Sequence, residues 1–402
     1  MEQLIEQFMK RYLSRAEIIH RLPVSQPISQ FWPALQRERR ARSISLPLSD
    51  QNGQPFWFVL HPGIERQCDV IAELARRDAM FDNPALESMI DDAVIDEAIF
   101  SSMIEGAFTT REAAIGFLKK NRTPANKSEQ MVRNNYDALT FALEHIDEPI
   151  SEATVIEIAR IVTRGASEEP VEGYRQGQVY VMGREEVVYR PPAAERVPGM
   201  MAELVRFIRD SELHPVIKAC VAHFYFVYVH PFADGNGRTA RALSFMMLIQ
   251  SGYEFFRYFS ISNLVAKERG RYYRSMVNVE ASDGDMTYFI DFYSGMLSRS
   301  VRAMEDHLTH HVIADQRVRA MERDGALNDR QLSGARWLLE GDGERITVEK
   351  WRKKYGVATE TARRDLLALT EQGVLERGME GRRAVFRILR DVPEAAGNGK
   401  GL

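Results

Sequence analysis

The sequence feature that most constrains the fold is a nearly continuous apolar run from Val216 to Val229 (VIKACVAHFYFVYV), which stops at His230. The run is too short to span a bilayer and therefore predicts a buried helix. A second helical pattern extends from Arg238 to Gln250. The residues between them (DGNG at 234–237) are typical of a tight turn. The sequence thus predicts two core helices joined by a turn at the N-terminus of the second.

The chemistry of this turn indicates a phosphate site. Its glycines permit positive φ and a close approach to a ligand, and the first N–H groups of the following helix favour an anion. Arg238 and Arg241 project from neighbouring positions of the first turn, and guanidinium groups bind phosphate oxygens in pairs. Asp234 is suited to Mg²⁺, which binds through one or two carboxylates plus substrate phosphates. His230 is suited to accept a hydroxyl proton. Each feature alone has an ordinary structural explanation, and together they favour a site.

The stretch from His230 to Arg241 (HPFADGNGRTAR) resembles the core motif of the Fic family, HPFx[D/E]GNGRxxR, with every fixed position present. The resemblance implies a helical core and transfer of AMP from ATP to a hydroxyl group of a target protein. It implies that His230 is the general base and that Asp234 binds Mg²⁺. The implied nucleotide-binding residues are Gly235, Asn236 and Gly237 for the α-phosphate and Arg238 and Arg241 for the β- and γ-phosphates. Gly237 favours AMP transfer, because phosphorylating relatives carry lysine there.

Composition fits an ordinary globular protein of two or three domains. The chain has 402 residues, with 45% hydrophobic and 27% charged residues and a net charge of −4. It has two cysteines, lacks an apolar signal-peptide core near the N-terminus and contains no transmembrane run. We therefore expect a cytoplasmic protein with no membrane partner. The sequence does not decide between a monomer and a homo-oligomer.

Residues 1–84 form a predicted N-terminal region with a helix and a β-hairpin, to which the sequence assigns no function. The hairpin signal extends from Arg42 to Leu60, where polar and apolar residues alternate around an Asn-Gly turn at positions 52 and 53. The predicted Fic domain covers residues 85–323.

A helix at about 92–106 contains a second motif. Its end, SSMIEG at positions 101–106, is by itself an ordinary helix terminus with a C′ glycine and a surface glutamate. It also fits the Fic inhibitory motif [S/T]xxxE[G/N], with Ser101, Glu105 and Gly106 in the fixed positions. The resemblance implies that Glu105 pairs with Arg241 and obstructs the γ-phosphate, since a carboxylate and a phosphate compete for the same donors.

Two short β-branched and aromatic runs at about 178–190 predict a further hairpin. It is either a connector or, by resemblance, the Fic flap that aligns a target segment as an added strand. The docking residues would be Val179, Tyr180, Val181, Val187 and Val188. Tyr272 begins a Tyr-Tyr pair after the core motif. Such pairs are usually core residues, but the resemblance implies a nucleotide contact near the adenine.

A change of composition near residue 324 predicts a domain at 324–390, followed by a disordered tail at 391–402. Three helical patterns and a strand pair predict a winged helix-turn-helix. Positions 328–390 hold 14 Lys and Arg against 10 Asp and Glu, a net of +4. The predicted DNA contacts, at the start of the third helix, are Thr359, Thr361, Arg363 and Arg364. Binding to a protein or dimerisation is the alternative.

We therefore predict a mainly α-helical protein: a Fic-type helical core with a β-hairpin flap, plus a C-terminal winged helix-turn-helix domain. The predicted function is a protein adenylyltransferase that uses ATP and Mg²⁺, is held down by Glu105, and modifies Ser, Thr or Tyr of a target protein or of itself. Two alternatives stay open. One is removal of AMP by the same site, and the other is a DNA-binding transcriptional regulator with the Fic domain as sensor.

Overall fold

A computed structural model describes residues 2–76, 86–120, 122–168, 170–182, 187–340, 345–380 and 383–389. The chain divides into two compact units, Met1–Arg302 and Ala303–Leu402. The expected fold class is confirmed, because helices dominate both units and the strands are few and short. The predicted domain boundaries stay predictions. The predicted tail at 391–402 lies outside the described residues.

The first unit is built from helices with two small hairpins. The helices are α1 (Glu2–Lys10), α2 (Arg15–Ile19), α3 (Ile28–Ala41), α4 (Pro62–Ala75), α5 (Glu87–Ile104), α6 (Arg111–Leu118), α7 (Lys127–Glu144), α8 (Glu152–Thr163), α9 (Val197–Asp210), α10 (Pro215–Val229), α11 (Asn236–Gln250), α12 (Ile261–Lys267) and α13 (Arg269–Glu280), and α14 (Thr287–Asp324) begins here and continues past the division. The hairpins are β1 (Ile44–Ser49) with β2 (Pro55–Phe58), and β3 (Val181–Met182) with β4 (Val187–Tyr189).

The two helices predicted around the glycine-rich turn form the centre of the first unit. In α10 nearly every residue is buried, as expected for a segment that is apolar on all faces. In α11 all but two residues are buried, including both arginines of its first two turns. These helices pack against each other and against α7, α8 and α9, so the turn between them is held at the core of the unit.

A buried polar cluster holds the N-terminal region to the rest of the first unit. Arg39 is fully buried, with its guanidinium 3.8 Å from the centre of the Tyr12 ring and Nη1 donating to the Tyr288 hydroxyl at 2.6 Å. The Tyr12 hydroxyl donates to Asp285 at 2.6 Å. The predicted helix at the start of the chain is two helices, α1 and α2. The β1–β2 hairpin is confirmed as an antiparallel pair.

The second unit contains the predicted winged-helix order. Its elements after α14 are α15 (Asp329–Glu340), β5 (Arg345–Ile346), α16 (Val348–Tyr355), α17 (Thr359–Glu371), β6 (Leu375–Glu380) and β7 (Arg383–Ile388). The strands form one antiparallel sheet in the order β5-β7-β6. Strand β5 was not predicted from the sequence, since a strand of two residues is too short to show an alternation of polar and apolar residues. Trp351 is fully buried at the centre, and its Nε1 donates to Asp365 at 3.1 Å.

Among the ranges that the structure describes, every helix is too short or too polar to cross a membrane.

Candidate active site

The turn before α11 requires glycine at position 235 for two reasons. Gly235 has φ 82°, in the left-handed region that L-residues rarely adopt. A Cβ atom there would also lie 2.8 Å from Thr163 Cγ2 and 3.1 Å from Val162 Cγ1, at the end of α8. The turn therefore packs directly onto α8, and the backbone around Gly235 is fixed by close contact.

The Asn236 side chain closes the turn from inside. Its Oδ1 accepts from the Phe232 amide at 3.0 Å, and its Nδ2 donates to the Phe232 carbonyl at 2.8 Å. Both polar atoms of the side chain are bonded to Phe232. The group of Asn236 left to bind a ligand is its backbone N–H, at the first position of α11. The amides of residues 236–238 begin the helix, and there is no acidic residue in this first turn.

Arg238 is buried beside the turn. Its Nη1 donates to the Val162 carbonyl at 2.8 Å, and its Nη2 lies 3.5 Å from Asp234 Oδ1. Burial lowers its pKa, but a guanidinium stays charged in proteins. Its Nε is also buried, and no acceptor for it is found in the described part of the chain. This arrangement leaves a buried cation with a free donor.

Arg241 is held by the end of α5. Its Nε donates to Ser101 Oγ at 2.8 Å, and its Nη2 donates to the Ser101 carbonyl at 2.8 Å and to Glu105 Oε1 at 2.9 Å. Burial would lower the pKa of Arg241, but the charge of Glu105 acts against it and the pKa is raised. Gly106, with φ 90°, ends the helix directly after the pair. The structure thus brings Ser101, Glu105 and Arg241 together.

Glu105 also rests on Gly237. A Cβ atom on Gly237 would collide with Glu105 Oε1, and it would lie 2.9 Å from Cδ of the same side chain. The carboxylate therefore occupies the space directly over the first turn of α11, where the resemblance places nucleotide phosphates.

His230 ends α10 in a left-handed conformation (φ 51°, ψ 60°), which is uncommon for a residue with a side chain. Its Nδ1 lies 3.3 Å from the Val227 carbonyl. A carbonyl only accepts, so Nδ1 carries the proton and Nε2 is left as the basic nitrogen. Burial lowers the pKa of His230, which keeps the ring neutral near pH 7. This is the protonation state that a general base needs.

Sequence reasoning gave no role to Arg175, which fixes the backbone of His230. Its Nε donates to the His230 carbonyl at 2.8 Å, its Nη1 to the Gly177 carbonyl at 2.9 Å and its Nη2 to the Pro192 carbonyl. Its own amide donates to the Pro231 carbonyl at 2.9 Å. Arg175 therefore joins the two chain segments that flank the flap to the end of α10. Its position before a predicted hairpin was the only signal in the sequence.

Asp234 has the chemistry of a magnesium ligand. Its carboxylate is 44% exposed, and Oδ1 accepts from the Gly235 amide at 2.6 Å. A hard cation at this place fits a single carboxylate beside a phosphate site, since Mg²⁺ completes its coordination with water and substrate oxygens. In the residues covered by the structure, no group of three His, Cys, Asp or Glu side chains forms a metal cluster. A Mg²⁺ site with a single protein carboxylate does not require such a cluster.

The flap is a short antiparallel hairpin with an apolar exposed surface. Val181 pairs with Tyr189 and Met182 with Val187. The Tyr189 hydroxyl donates to the Tyr228 carbonyl at 2.7 Å, which ties the second strand to α10 two residues before His230. Of the predicted docking residues, three are exposed and two are half-buried; the exposed ones are Tyr180, Val187 and Val188, and the half-buried ones are Val179 and Val181. The predicted turn at 183–186 lies outside the described residues.

Tyr272, predicted to contact the nucleotide, is 2% exposed, whereas Tyr273 is 40% exposed. The Tyr272 hydroxyl lies 2.7 Å from His223 Nε2. In this conformation the hydroxyl of Tyr272 is thus buried in the core and bonded to His223. A role at the adenine stays a prediction.

The predicted DNA contacts lie at the start of α17. Thr359, Arg363 and Arg364 are exposed and Thr361 is half-buried. Arg364 Nε lies 3.7 Å from Glu360 one turn earlier, a surface pair that contributes little to stability. Three of the four side chains are therefore available to a ligand.

Comparison with known proteins finds two families that match parts of this chain. Residues 149–248 match the Fic/DOC family, and residues 341–385 match the DeoR-like helix-turn-helix domain. The Fic/DOC match therefore covers α8 to α10, the glycine-rich turn and most of α11. The DeoR-like helix-turn-helix match follows it along the chain and covers α16 and α17.

Among curated relatives, the protein adenylyltransferase Fic of Nematostella vectensis is 28% identical over 262 residues, which is 61% of this chain and 58% of that protein. The Drosophila erecta protein of the same name is 27% identical over 260 residues, 59% of this chain and 50% of that protein. The chain thus matches little more than half the length of these relatives. A Fic family protein from Desulfovibrio desulfuricans G20 has the same fold, with a TM-score of 0.54 and 22% identity over 86% of this chain and 98% of that one.

Proposed function

We propose that the chain is a cytoplasmic protein adenylyltransferase, which transfers AMP from ATP to a Ser, Thr or Tyr hydroxyl of a target protein or of itself. The observation that carries the proposal is the pair of buried arginines beside the first turn of α11. Arg238 Nε is buried without a hydrogen-bond partner in the described structure, which is costly unless an anion completes it. Arg241 Nη2 is held by the Glu105 carboxylate, which an anion can replace. The similarity to proteins named protein adenylyltransferase Fic supports the same reaction.

The residues of this chain account for each step. The hydroxyl oxygen of the target attacks the α-phosphorus of ATP, and its proton passes to His230 Nε2. The new oxygen–phosphorus bond forms as the bond to the bridging oxygen of pyrophosphate breaks. Amides at the start of α11 stabilise the negative charge on the α-phosphate, and Arg238 holds the departing pyrophosphate. Asp234 would hold Mg²⁺, which neutralises charge on the phosphates when bound.

Glu105 restrains this reaction in the proposed mechanism. Its carboxylate is bound to Arg241 and lies over Gly237. A nucleotide with a γ-phosphate competes with it for the same guanidinium. Withdrawal of Glu105 would therefore be required for productive binding of ATP, and α5 is the element through which a regulator would act.

The test is mass spectrometry of the Glu105→Gly variant incubated with ATP and cell lysate. We expect an AMP adduct on the variant or on a lysate protein, at least about tenfold above wild type. The adduct must disappear in Glu105→Gly/His230→Ala. Glu148→Gly, which removes an exposed carboxylate in the turn after α7, is the matched control and stays at the wild-type level. Equal labelling by wild type and Glu105→Gly contradicts the inhibitory role.

Removal of AMP by the same site is tested with the labelled target from that experiment. If wild type releases the label and Glu105→Gly does not, Glu105 positions a water molecule instead of blocking ATP, and the removal reaction replaces transfer as the function of the wild-type protein.

We also propose that the winged helix binds DNA, which would make a regulator that contains an enzymatic domain. The match to the DeoR-like helix-turn-helix domain favours this second function, together with the exposed arginines at the start of α17. A gel shift over a salt series tests it. We expect a steep salt dependence that is lost in Arg363→Ala/Arg364→Ala. Retention of binding by this variant, or no shift at low salt, assigns the winged helix to a protein partner.

A further inference from the structure

His223 lies in the middle of α10 between two buried hydroxyl groups. Its Nδ1 is 3.0 Å from Ser244 Oγ, and its Nε2 is 2.7 Å from the Tyr272 hydroxyl. Burial lowers the pKa of His223 to about 3, and the charge of Arg241 acts in the same direction. The imidazole is therefore neutral and carries a single N–H, so one nitrogen donates and the other accepts.

The direction of these hydrogen bonds is fixed by Ser244. Its hydroxyl donates to the Ala240 carbonyl at 2.8 Å, so its oxygen accepts from Nδ1–H of His223. The bare Nε2 then accepts from the Tyr272 O–H. Hydrogen bonds thus run from Tyr272 through His223 and Ser244 back to α11, the helix that carries Arg241.

This direction leaves the lone pairs of the Tyr272 oxygen available to Arg241. Burial raises the pKa of Tyr272, whereas the nearby charge of Arg241 opposes the rise. On the arginine, Ser101 binds Nε and Nη2, and Glu105 binds Nη2. The remaining nitrogen, Nη1, is buried and makes no hydrogen bond of ordinary length and angle in the part of the chain that the structure describes, although the Tyr272 hydroxyl is near enough to interact with the guanidinium.

We propose that Tyr272, oriented by His223, is a positioning residue that accepts a hydrogen bond from Arg241 Nη1 and keeps the guanidinium in place when Glu105 withdraws. Ser101 would still hold Nε and one N–H of Nη2. The second N–H of Nη2, released by Glu105, would then face the γ-phosphate of ATP. The inference rests on the proposed function, because it assigns the acceptors that prepare Arg241 for a triphosphate.

The first experiment compares ATP and AMP binding by calorimetry in the Glu105→Gly background. Tyr272→Phe removes the acceptor and keeps the ring. We expect the affinity for ATP to fall about 10-fold, as for loss of one hydrogen bond to a charged group, while the affinity for AMP changes less than ~2-fold. The affinity for AMP should change little because AMP has no β- or γ-phosphate to contact Arg241. An unchanged ATP affinity, or an equal loss for both nucleotides, overturns the inference.

The second experiment separates orientation from packing. His223→Gln provides an amide oxygen that can accept from the Tyr272 hydroxyl, and we expect it to retain ATP binding. His223→Leu has no acceptor and should lose as much ATP affinity as Tyr272→Phe, with no further loss when the two are combined. If His223→Leu does not fold, Tyr272→Phe and His223→Gln decide the question. Equal losses in His223→Gln and His223→Leu contradict a role in orientation.

Tyr225→Phe is the matched control. It removes a buried phenol hydroxyl from α10, the helix of His223, but this hydroxyl lies 3.1 Å from the Ser49 carbonyl in the β1–β2 hairpin and 3.3 Å from Glu203 Oε2. It should leave both affinities unchanged. The two proposals fail in different ways. If the parent Glu105→Gly protein does not bind ATP, both are overturned; if it binds ATP and Tyr272→Phe binds it equally well, only the positioning role is overturned.

Discussion

The Glu105 carboxylate lies 2.9 Å from Arg241 Nη2 and rests on Gly237, so that one acid covers both the guanidinium and the helix turn beneath it. The contact is steric as well as electrostatic, because a single added methyl group at position 237 would meet Oε1. A side chain at position 237 would therefore displace the carboxylate above it. This relationship can be tested without measuring activity.

We predict that Gly237→Ala and Glu105→Gly are coupled in stability. In wild type the added Cβ collides with Glu105, and overpacking of this kind costs about 1–3 kcal/mol. In Glu105→Gly the collision with the acid is absent and a closer-than-usual contact of 3.2 Å to Arg241 Nη1 remains, while alanine gains up to ~1 kcal/mol of helix propensity. Urea unfolding of the four proteins should give an interaction free energy of at least ~1 kcal/mol. Gly199→Ala in α9, where a Cβ would have no atom within 4 Å, is the control and should be additive.

We predict that Arg175→Lys slows AMP transfer without weakening ATP binding. The planar guanidinium donates to three different carbonyl groups, one of them that of His230, and an ammonium group on a flexible stem cannot reproduce this fork. A small displacement of His230 should lower kcat by ~10–100-fold in the Glu105→Gly background.

The matched control for Arg175 is Arg160→Lys. Arg160 Nε also donates to a carbonyl, that of Val171 at 3.2 Å, but Arg160 has no bond to His230. Steady-state kinetics and calorimetry are measured on the same samples. A loss of ATP affinity as large as the loss of kcat would show that Arg175 supports the whole domain instead of the position of His230.

We predict that His230 titrates below the ordinary histidine pKa of about 6.5 and that removing Glu105 lowers its pKa further. Burial lowers this pKa, and the negative charge of Glu105 partly opposes burial. Without that charge the protonated form is less stable. NMR titration of the His230 ring protons in wild type and Glu105→Gly measures both values. A higher pKa in Glu105→Gly would contradict the assigned electrostatics.

The core helices were predictable from sequence because their signals are local. An apolar run of helical length at α10 and a glycine-rich turn before α11 each need no distant partner to be recognised. The pairing of Glu105 with Arg241 came only from a motif resemblance, since 136 positions separate the two residues. Arg175 and His223 were missed for the same reason, because their partners are main-chain carbonyls and buried hydroxyls that no spacing rule connects. Strand β5 exists only through its pairing with β7.

The last prediction concerns Asp285, the fully buried acid that accepts from Tyr12 at 2.6 Å and from the Thr287 amide at 3.1 Å. Burial raises its pKa to about 6. Because this is above the value of the unfolded chain, the folded state binds more protons between pH 4 and 6, and the stability contributed by Asp285 is lost as pH rises through about 6. Asparagine, which is always neutral, avoids this loss.

The free energy of unfolding of Asp285→Asn, relative to wild type, should therefore increase from pH 4 to pH 7 by on the order of 2–3 kcal/mol. Urea unfolding at several pH values measures it, and the difference isolates Asp285 because the two proteins share every other titrating group. Asp210→Asn is the control, and its free energy of unfolding relative to wild type should change with pH in the opposite direction. A hydrogen bond from Arg209 lowers the pKa of that exposed acid. A relative stability of Asp285→Asn that stays constant with pH would mean that Asp285 is ionised in the folded protein throughout this range.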